Sequence, residues 1–488
     1  MNKKRYAVLA SAVILSLGAG FNVMAADSVR TTTDPAITSR ALKNDAAEKE
    51  AARKVDFTNR LLAKNLGTED VTAVKAPAAK ALNIDLKGAV TTALNNNRDI
   101  RLSEYALEKA KAQVSEAAAG KNPQVSYDWK GGRAKTNQVV KVISNSYSNG
   151  INVTWPIWTG GAVEGAIDSA RYAEDAANVA VYQQEAATKL SATKAYYQWL
   201  EAINLADVAN ESVSNLAGHL TNVKQQFNAG IVAKLDVLSS NVSLANAKEA
   251  DISAKNTRDV AEANLNNVMR IPMNTKLTPT DKHFPQPDIT ITMEQAIAMA
   301  EKYRWELVQA DYNVKMAEEA VRIARAGYMP TVALTGGYNW NDDDFPGFKH
   351  EGWSVGGGLS WSIFDGGATD AKIREAKADL KTAEETLLKS RESIELEVRQ
   401  DYLNVFSAKE KIRATEAAVA EAEEAYKIAT VRYASGVGIN LDVLDAQLQL
   451  NQARTNYITA LYDYNIGLAT LENAMGIPAV IHTETTVK

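Results

Sequence analysis

The sequence predicts an α+β membrane protein built from one unit used twice, each copy giving two strands and two long coiled-coil helices. Three observations predict it. First, segments recur at a fixed interval. TWPIWTGG (154–161) returns as SWSIFDGG (360–367), FNAGIVAKLDVL (227–238) as YASGVGINLDVL (433–444), and MRIP (269–272) as MGIP (475–478). From Trp155 onward the interval holds at 206 residues, far longer than a solenoid repeat. Second, apolar residues return every seventh position through long proline-free stretches. Third, four short segments alternate between apolar and small polar residues, and six of the eight tryptophans fall in them.

The elements follow in chain order. Lys3, Lys4 and Arg5 precede an apolar run from Tyr6 to Gly18, and Val23-Met24-Ala25 offers small residues for cleavage. That pattern predicts a secretory signal peptide over 1–25. No cysteine follows it to carry a lipid anchor, and no later run of about 20 apolar residues predicts a membrane-spanning helix. Residues 26–82, rich in Ala, Lys and Glu, read as a mobile or partly helical periplasmic extension. The first repeat spans 83–272, with strands at about 122–131 and 148–158 and helices at 161–227 and 232–270. A linker with Pro279, Pro285 and Pro287 occupies 273–292. The second repeat spans 293–488, with strands at about 330–340 and 352–364 and helices at 367–433 and 439–475.

The helices rest on heptads. Trp199, Ala206, Val213, Leu220 and Phe227 recur every seven residues, as do Val398, Val405, Ile412, Val419, Tyr426 and Tyr433. Ile373, Leu380, Leu387 and Ile394 form an upstream series, and the step of four from 394 to 398 predicts a local change of packing. At 1.5 Å per residue the stretch 161–227 makes a helix of about 100 Å. Gly230 and Gly436, each three residues past an aromatic, are placed to end the helices in a left-handed cap.

In the strands, Val125, Tyr127 and Trp129 oppose Gln124, Ser126 and Asp128, and Ile151, Val153, Trp155 and Ile157 oppose Asn152 and Thr154. Val332, Leu334, Tyr338 and Trp340 oppose Thr331, Ala333, Thr335 and Asn339. Trp353, Val355, Leu359 and Trp361 oppose serines and glycines. Two structures fit this alternation: a small sheet packed on helices, or a barrel wall with its aromatic face toward lipid. In lipid, four strands cannot close a barrel, which needs about eight. About ten unpaired backbone groups on each edge would cost tens of kcal/mol, against a typical stability of about 5–15 kcal/mol. A membrane sheet of this kind must therefore be shared between identical chains around an axis.

The order strand pair, proline-free long helix, F/YxxG turn and DVL, repeated twice behind a signal peptide, resembles the TolC-type outer-membrane efflux channels, the outer membrane factors of tripartite efflux and type I secretion systems. The resemblance covers about 83–480. It implies a homotrimer in which each chain gives four strands to one twelve-stranded β-barrel in outer-membrane lipid, with Trp129, Trp155, Trp158, Trp340, Trp353 and Trp361 facing the lipid. It also implies a periplasmic α-barrel of the long helices. The expected activity is a passive duct for efflux or protein secretion, in the outer membrane of a diderm bacterium. Its partners are a periplasmic adaptor (membrane fusion) protein and an inner-membrane efflux pump or ABC transporter.

Candidate site residues cluster at the turns. Asp442 and Asp445 stand three apart on one helix face. Taken alone they could simply complement a helix N-terminus; by resemblance they match acidic rings at a periplasmic constriction. Tyr433 and Asp236 match tip-closing contacts, although Tyr433 is also the last heptad residue of its series. Gly438 stands where some members carry an arginine of the closed tip. The turns at Gly230, Gly436 and Gly438 are the expected adaptor-docking surface. The loops 132–147 and 341–351, the latter carrying Asp342, Asp343 and Asp344, are expected to face outside the cell.

Net charge is −5, so no basic surface points to nucleic acid, and with no cysteine there is no thiol chemistry. His219, His283, His350 and His482 lie far apart and read as unrelated surface residues. No nucleophile motif, phosphate loop or metal cluster predicts an enzyme, and no cofactor is expected. The alternative from another class is a structural or adhesive coiled coil, which would have no use for four duplicated tryptophan-rich strands.

Overall fold

The computed structural model describes residues 81–137 and 141–476, the side chains of 136, 137, 141 and 142 excepted. The expected leader, nearly all of the extension 26–82 and the C-terminal 477–488 lie outside the described residues. In order come β1 (Ala81–Ile84), α1 (Leu86–Asn96), α2 (Arg98–Ala119), β2 (Gln124–Asn137), β3 (Lys141–Trp158), α3 (Ala162–Asn228) and α4 (Lys234–Val268). Then follow β4 (Lys276–Pro279), α5 (Met293–Tyr303), α6 (Trp305–Arg325), β5 (Thr331–Asp342), β6 (His350–Ser360), α7 (Ala368–Ala434) and α8 (Asn440–Ala474). Both α3 and α7 have 67 residues, and both α4 and α8 have 35, so the 206-residue interval is kept at every end.

Local chemistry sets the boundaries. Asp85 accepts from the Gly88 amide at the start of α1, Asn97 from Asp99 and Ile100 at the start of α2, and Thr292 forms a capping box with Gln295 on α5. Gly160 and Gly161, like Gly366 and Gly367, take positive φ where strand gives way to long helix. At the far ends Gly230 and Gly436 share φ +74. The Ile231 and Val437 amides reach back to the Gln226 and Arg432 carbonyls, satisfying groups the helix leaves open.

The main sheet runs β2-β3-β5-β6, antiparallel throughout. Its register lines up the apolar faces of all four strands. Tyr127 pairs with Ile151, Ile151 with Tyr338, and Tyr338 with Trp353; Val125 pairs with Val153, and Val332 with Leu359. A bulge between Pro156 and Trp158 keeps Trp158 opposite Val332, on the same face as Trp155 opposite Leu334. The other face carries Ser126, Asn152, Thr154, Thr335, Ser354 and Gly356. The outer edges of β2 and β6 have no strand partner among the described residues.

Two strand limits differ from expectation. The loop 132–147 is largely strand: β2 and β3 stay paired from Gly131↔Tyr147 out to Asn137↔Lys141. Ser144, Asn145 and Ser146 are exposed and polar, so backbone pairing, not a buried face, holds this part, and no alternation marks it. At the other limit β6 stops at Ser360, short of 364. Trp361 turns aside to donate its indole N–H to the Tyr328 carbonyl at 3.1 Å, and Ile363 and Phe364 are left exposed.

The linker also holds structure, since β4 pairs in parallel with β1. This two-stranded sheet and helices α1 and α5 pack against the middle of the long helices. Trp199, Leu200, Leu265, Val398, Val405 and Leu471 are the centre of the core there. Ile394 and Val398, across the four-residue step, both enter this core, and Tyr402 donates to the Ile291 carbonyl. Tyr464 donates to the Pro287 carbonyl and ties the linker to α8. Among the described residues no helix is long and apolar enough to cross a membrane.

Candidate functional site

The turns α3–α4 and α7–α8 form one tip. Around it α3 packs on α4, α7 on α8, and α8 on α3, while α4 and α8 scarcely touch. Between α3, α4 and α8 lies a cleft of about 630 Å³ whose walls include Leu216, Ala247, Leu444, Asp445 and Leu448.

Asp442 lies in the first turn of α8, and both Asp442 and Asp445 are exposed, beside the exposed Leu441 and Leu448. Behind them Val443 is fully buried with Val223 and Tyr433 in a small apolar cluster. The two carboxylates therefore present outward from a packed helix, with no ion pair neutralising them among the described residues.

Tyr433 and Asp236 are near one another but not hydrogen-bonded. Burial, helped by the Asp236 carboxylate, raises the Tyr433 hydroxyl above the ordinary tyrosine range, and that hydroxyl has no hydrogen-bond partner among the described residues. Its twin Phe227 is 39% exposed where Tyr433 is 4%, so the repeats differ here. Gly438 fits closely: its amide donates to the Arg432 carbonyl at 3.0 Å, and a Cβ would stand 3.0 Å from the Tyr433 nitrogen. A side chain there would require the end of α7 to give by a few tenths of an ångström.

What joins the two hairpins is a residue read from sequence as a surface histidine. His219 is 6% exposed, and its Nε2 lies 2.7 Å from Oδ1 of the buried Asn440. Ser240 Oγ donates to the same oxygen at 3.1 Å, and Asn440 Nδ2 donates to the Asp236 carbonyl at 3.3 Å. The Tyr433 ring lies against the imidazole, centroids 5.0 Å apart. Burial lowers the His219 pKa, opposed by the Asn440 hydrogen bond. A signal was present: His219 stands three after Leu216 and four before Val223, on the inward face of α3. The other described histidines, His283 and His350, are exposed.

Further along the same seam the contacts stay polar. Asn451 donates to Ser212 at 2.7 Å, and Arg454 bridges Glu211 on α3 and Glu423 on α7. Higher up, Thr459 donates to Glu201.

At the opposite end of the strands, the β5–β6 loop folds back over the aromatic face. Asn149, on that face, is 2% exposed; it donates to the Pro346 and Gly347 carbonyls and accepts from Tyr127. Trp129, Trp155, Trp158, Trp353 and Trp361 remain exposed in the chain, and Trp340 is half-buried against Tyr338 and Phe348. Asp342 accepts from the amides of Asp343 and Asp344, and among the described residues no group of three or more acidic or histidine side chains is placed to hold a metal.

The sequence matches the family described as outer membrane efflux protein over residues 89–269 and 296–477, one segment in each repeat. It is 26% identical over 306 residues to the outer membrane protein TolC of Escherichia coli K12, spanning 59% of this chain and 61% of that one. It is 29% identical over 262 residues to the alkaline protease secretion protein AprF of Pseudomonas aeruginosa, covering 52% and 54% of the two chains. The solved outer-membrane channel OprN superposes with a TM-score of 0.72 at 22% identity, over 80% of this chain and 89% of that one.

Proposed function

The chain belongs to the outer membrane efflux protein family, and from that premise we propose that it is a passive exit duct of the outer membrane. Three copies pool four strands each into a twelve-stranded barrel, and their long helices continue as a hollow tube into the periplasm. The observation that carries this reading is the pairing of a coherent aromatic face with two free sheet edges. Such a sheet in lipid would leave backbone donors and acceptors unpaired, at several kcal/mol each, until β2 of one copy meets β6 of the next.

The helices support the same assembly. Leu238, Val242, Ile252 and Val260 of α4, and Leu388, Leu396, Leu403 and Phe406 of α7, are exposed apolar residues on the two helices at opposite sides of the four-helix set. A neighbouring copy would cover them. The tryptophans of the strands then face lipid, the small polar face lines water, and Asp442 and Asp445 of three copies ring the tip as a cation-favouring constriction. The turns at Gly230, Gly436 and Gly438 receive a periplasmic adaptor, which couples the duct to an inner-membrane pump or ABC transporter. Small toxic compounds or secreted proteins pass according to that pump. Opening comes from rearrangement of the helices at the tip, where Tyr433 and Asp236 help to hold it closed.

The test is conductance of the purified protein in planar bilayers, with gel migration before and after heating. A heat-sensitive oligomer that conducts cations in preference to anions is the expected result. A water-soluble monomer without conductance overturns the reading.

A further inference from the structure

The seam between the two hairpins has a titratable group at its tip. His219 of α3 is enclosed by all four helices. On α8 it meets neutral Asn440, with the apolar Val443 buried beside the same joint and Asp442 turned to the exposed side. On α7 it meets the Tyr433 ring, with Tyr426 two turns back at the edge of the same cluster. On α4, Ser240 shares its acceptor, and Asp236 gives its backbone carbonyl to Asn440 while its carboxylate bears on Tyr433. On α3 itself Glu211 is two turns away and already paired with Arg454. Among the described residues no carboxylate is within hydrogen-bonding distance of the imidazole.

The hydrogen-bond network fixes the state of the ring. Asn440 Nδ2 donates to a carbonyl, so Oδ1 is the acceptor facing Nε2, and His219 is the Nε2–H tautomer. The basic Nδ1 is therefore the atom that takes a proton. An imidazolium there would sit in a buried site with no counter-charge among the described residues, and separation of the helices would hydrate it.

We propose that the His219–Asn440 joint is an acid-sensitive latch: it holds the α7–α8 hairpin against the α3–α4 hairpin while His219 is neutral, and protonation of His219 releases the seam and widens the tip. This rests on the chain being a duct closed at that tip. Because the pKa of His219 is depressed in the closed state and ordinary once exposed, the latch is at full strength above the ordinary value of 6.5 and weakens as pH falls below it. The closed-to-open ratio of each latch drops by at most about tenfold per pH unit until the depressed value is reached. The rest of the seam suits such a separation, since Ser212–Asn451 and Glu211–Arg454–Glu423 can exchange their partners for water.

The experiment is single-channel conductance of the reconstituted full-length protein, with pH on the tip side lowered from 7.5 to 5.0. Wild type should gain conductance several-fold below about pH 6.5. Loss of the Asp442 and Asp445 charges, as in the double Asn variant, would instead reduce cation current, so the two effects differ in sign. His219→Gln, which keeps an N–H donor but cannot be charged, should flatten the profile. A second variant keeps His219: Ser212→Cys with Asn451→Cys places a disulfide across the seam in a chain that has no other cysteine. It should lose the acid response when oxidised and regain it on reduction. An unchanged acid response in His219→Gln or in the oxidised pair overturns the latch. A wild-type conductance independent of pH overturns the latch and leaves the duct standing; absence of conductance at every pH overturns both.

Discussion

Trp155 and Trp361, 206 residues apart, make the same hydrogen bond in their own repeats. The Trp155 indole donates to the Lys121 carbonyl at 3.0 Å, and that of Trp361 to the Tyr328 carbonyl at 3.1 Å. Lys121 and Tyr328 are equivalent too, each following the glycine of an AG–P segment that ends a helix and begins a strand. Each tryptophan thus staples the end of one strand to the start of its neighbour, where sheet gives way to helix. Replacing either by Phe keeps most of the apolar ring and removes the donor. Each change should cost about 0.5–1.5 kcal/mol, read as a lower heat-dissociation temperature of the oligomer, with Trp→Leu costing more. Equal stability of the Phe variants would show these bonds to be idle.

Much of this molecule is legible in the sequence because its physics is periodic. The heptad at Val398 and Val405 and the 206-residue echo place the long helices within two residues of their observed ends. The missing parts have no period. The Ser/Asn-rich reach of β3 at 144–146 is held by backbone pairing alone. β1 and β4 are four residues each and pair 195 positions apart, Ala81 with Lys276, which no local pattern announces. The spacing of His219 from Leu216 and Val223 marks it as inward-facing, but a histidine on an apolar face reveals its partner only once α8 is in place. The resemblance pairs Tyr433 with Asp236 as a tip contact; in the single chain the two are electrostatic neighbours with no shared hydrogen bond.

Asp442 and Asp445 carry the proposed selectivity. Both are exposed and have no salt bridge among the described residues, so changing both to Asn should leave the fold intact. Cation preference and block by trivalent cations should then disappear in single-channel records. Unaltered currents would remove these residues from the constriction.

Arg270 and Gly476 are equivalent positions with different residues. Both are left-handed, at φ +56 and +74. Arg270 bears the steric cost of that conformation, about 1–2 kcal/mol, against a 3.8 Å surface contact of its side chain with Asp99. Arg270→Gly should therefore stabilise the protein by up to about 1 kcal/mol. Gly476→Ala should do the reverse and more strongly, since its Cβ would stand 2.7 Å from the Tyr303 carbonyl oxygen. Chemical denaturation of the two variants checks the opposite signs.

Glu201, half-way along α3, is raised to about 6 by burial, against 4.5 for an ordinary glutamate, with the Thr459 hydroxyl opposing the shift. A raised acid binds its proton more tightly in the folded state. Its penalty is absent below about pH 4.5, grows as pH rises to about 6, and is constant above. Glu201→Gln keeps an acceptor for Thr459 and has no charge to bury. It should be more stable than wild type at pH 8 and indistinguishable at pH 4.5. A difference that is the same at both values would mean that packing, not ionisation, separates them.

Leu403 distinguishes stability of the chain from stability of the assembly. It is 62% exposed on α7, seven residues after the exposed Leu396 and flanked by the exposed Phe406, while Val405 on the opposite side is fully buried. Leu403 is left largely uncovered by the described residues, so a charge there costs the single protomer little: surface substitutions change stability by about 0.5 kcal/mol or less. If α7 of one copy meets α4 of the next, the same charge is forced against Ile252 or its neighbours, and desolvating it costs several kcal/mol at each of the equivalent contacts. Leu403→Asp should therefore leave helical circular dichroism unchanged and abolish the heat-sensitive oligomer, whereas Val405→Asp should unfold the helix pair itself. Should Leu403→Asp assemble as wild type does, the apolar row on α7 is not the seam between copies, and the neighbour must approach by the sheet edges alone.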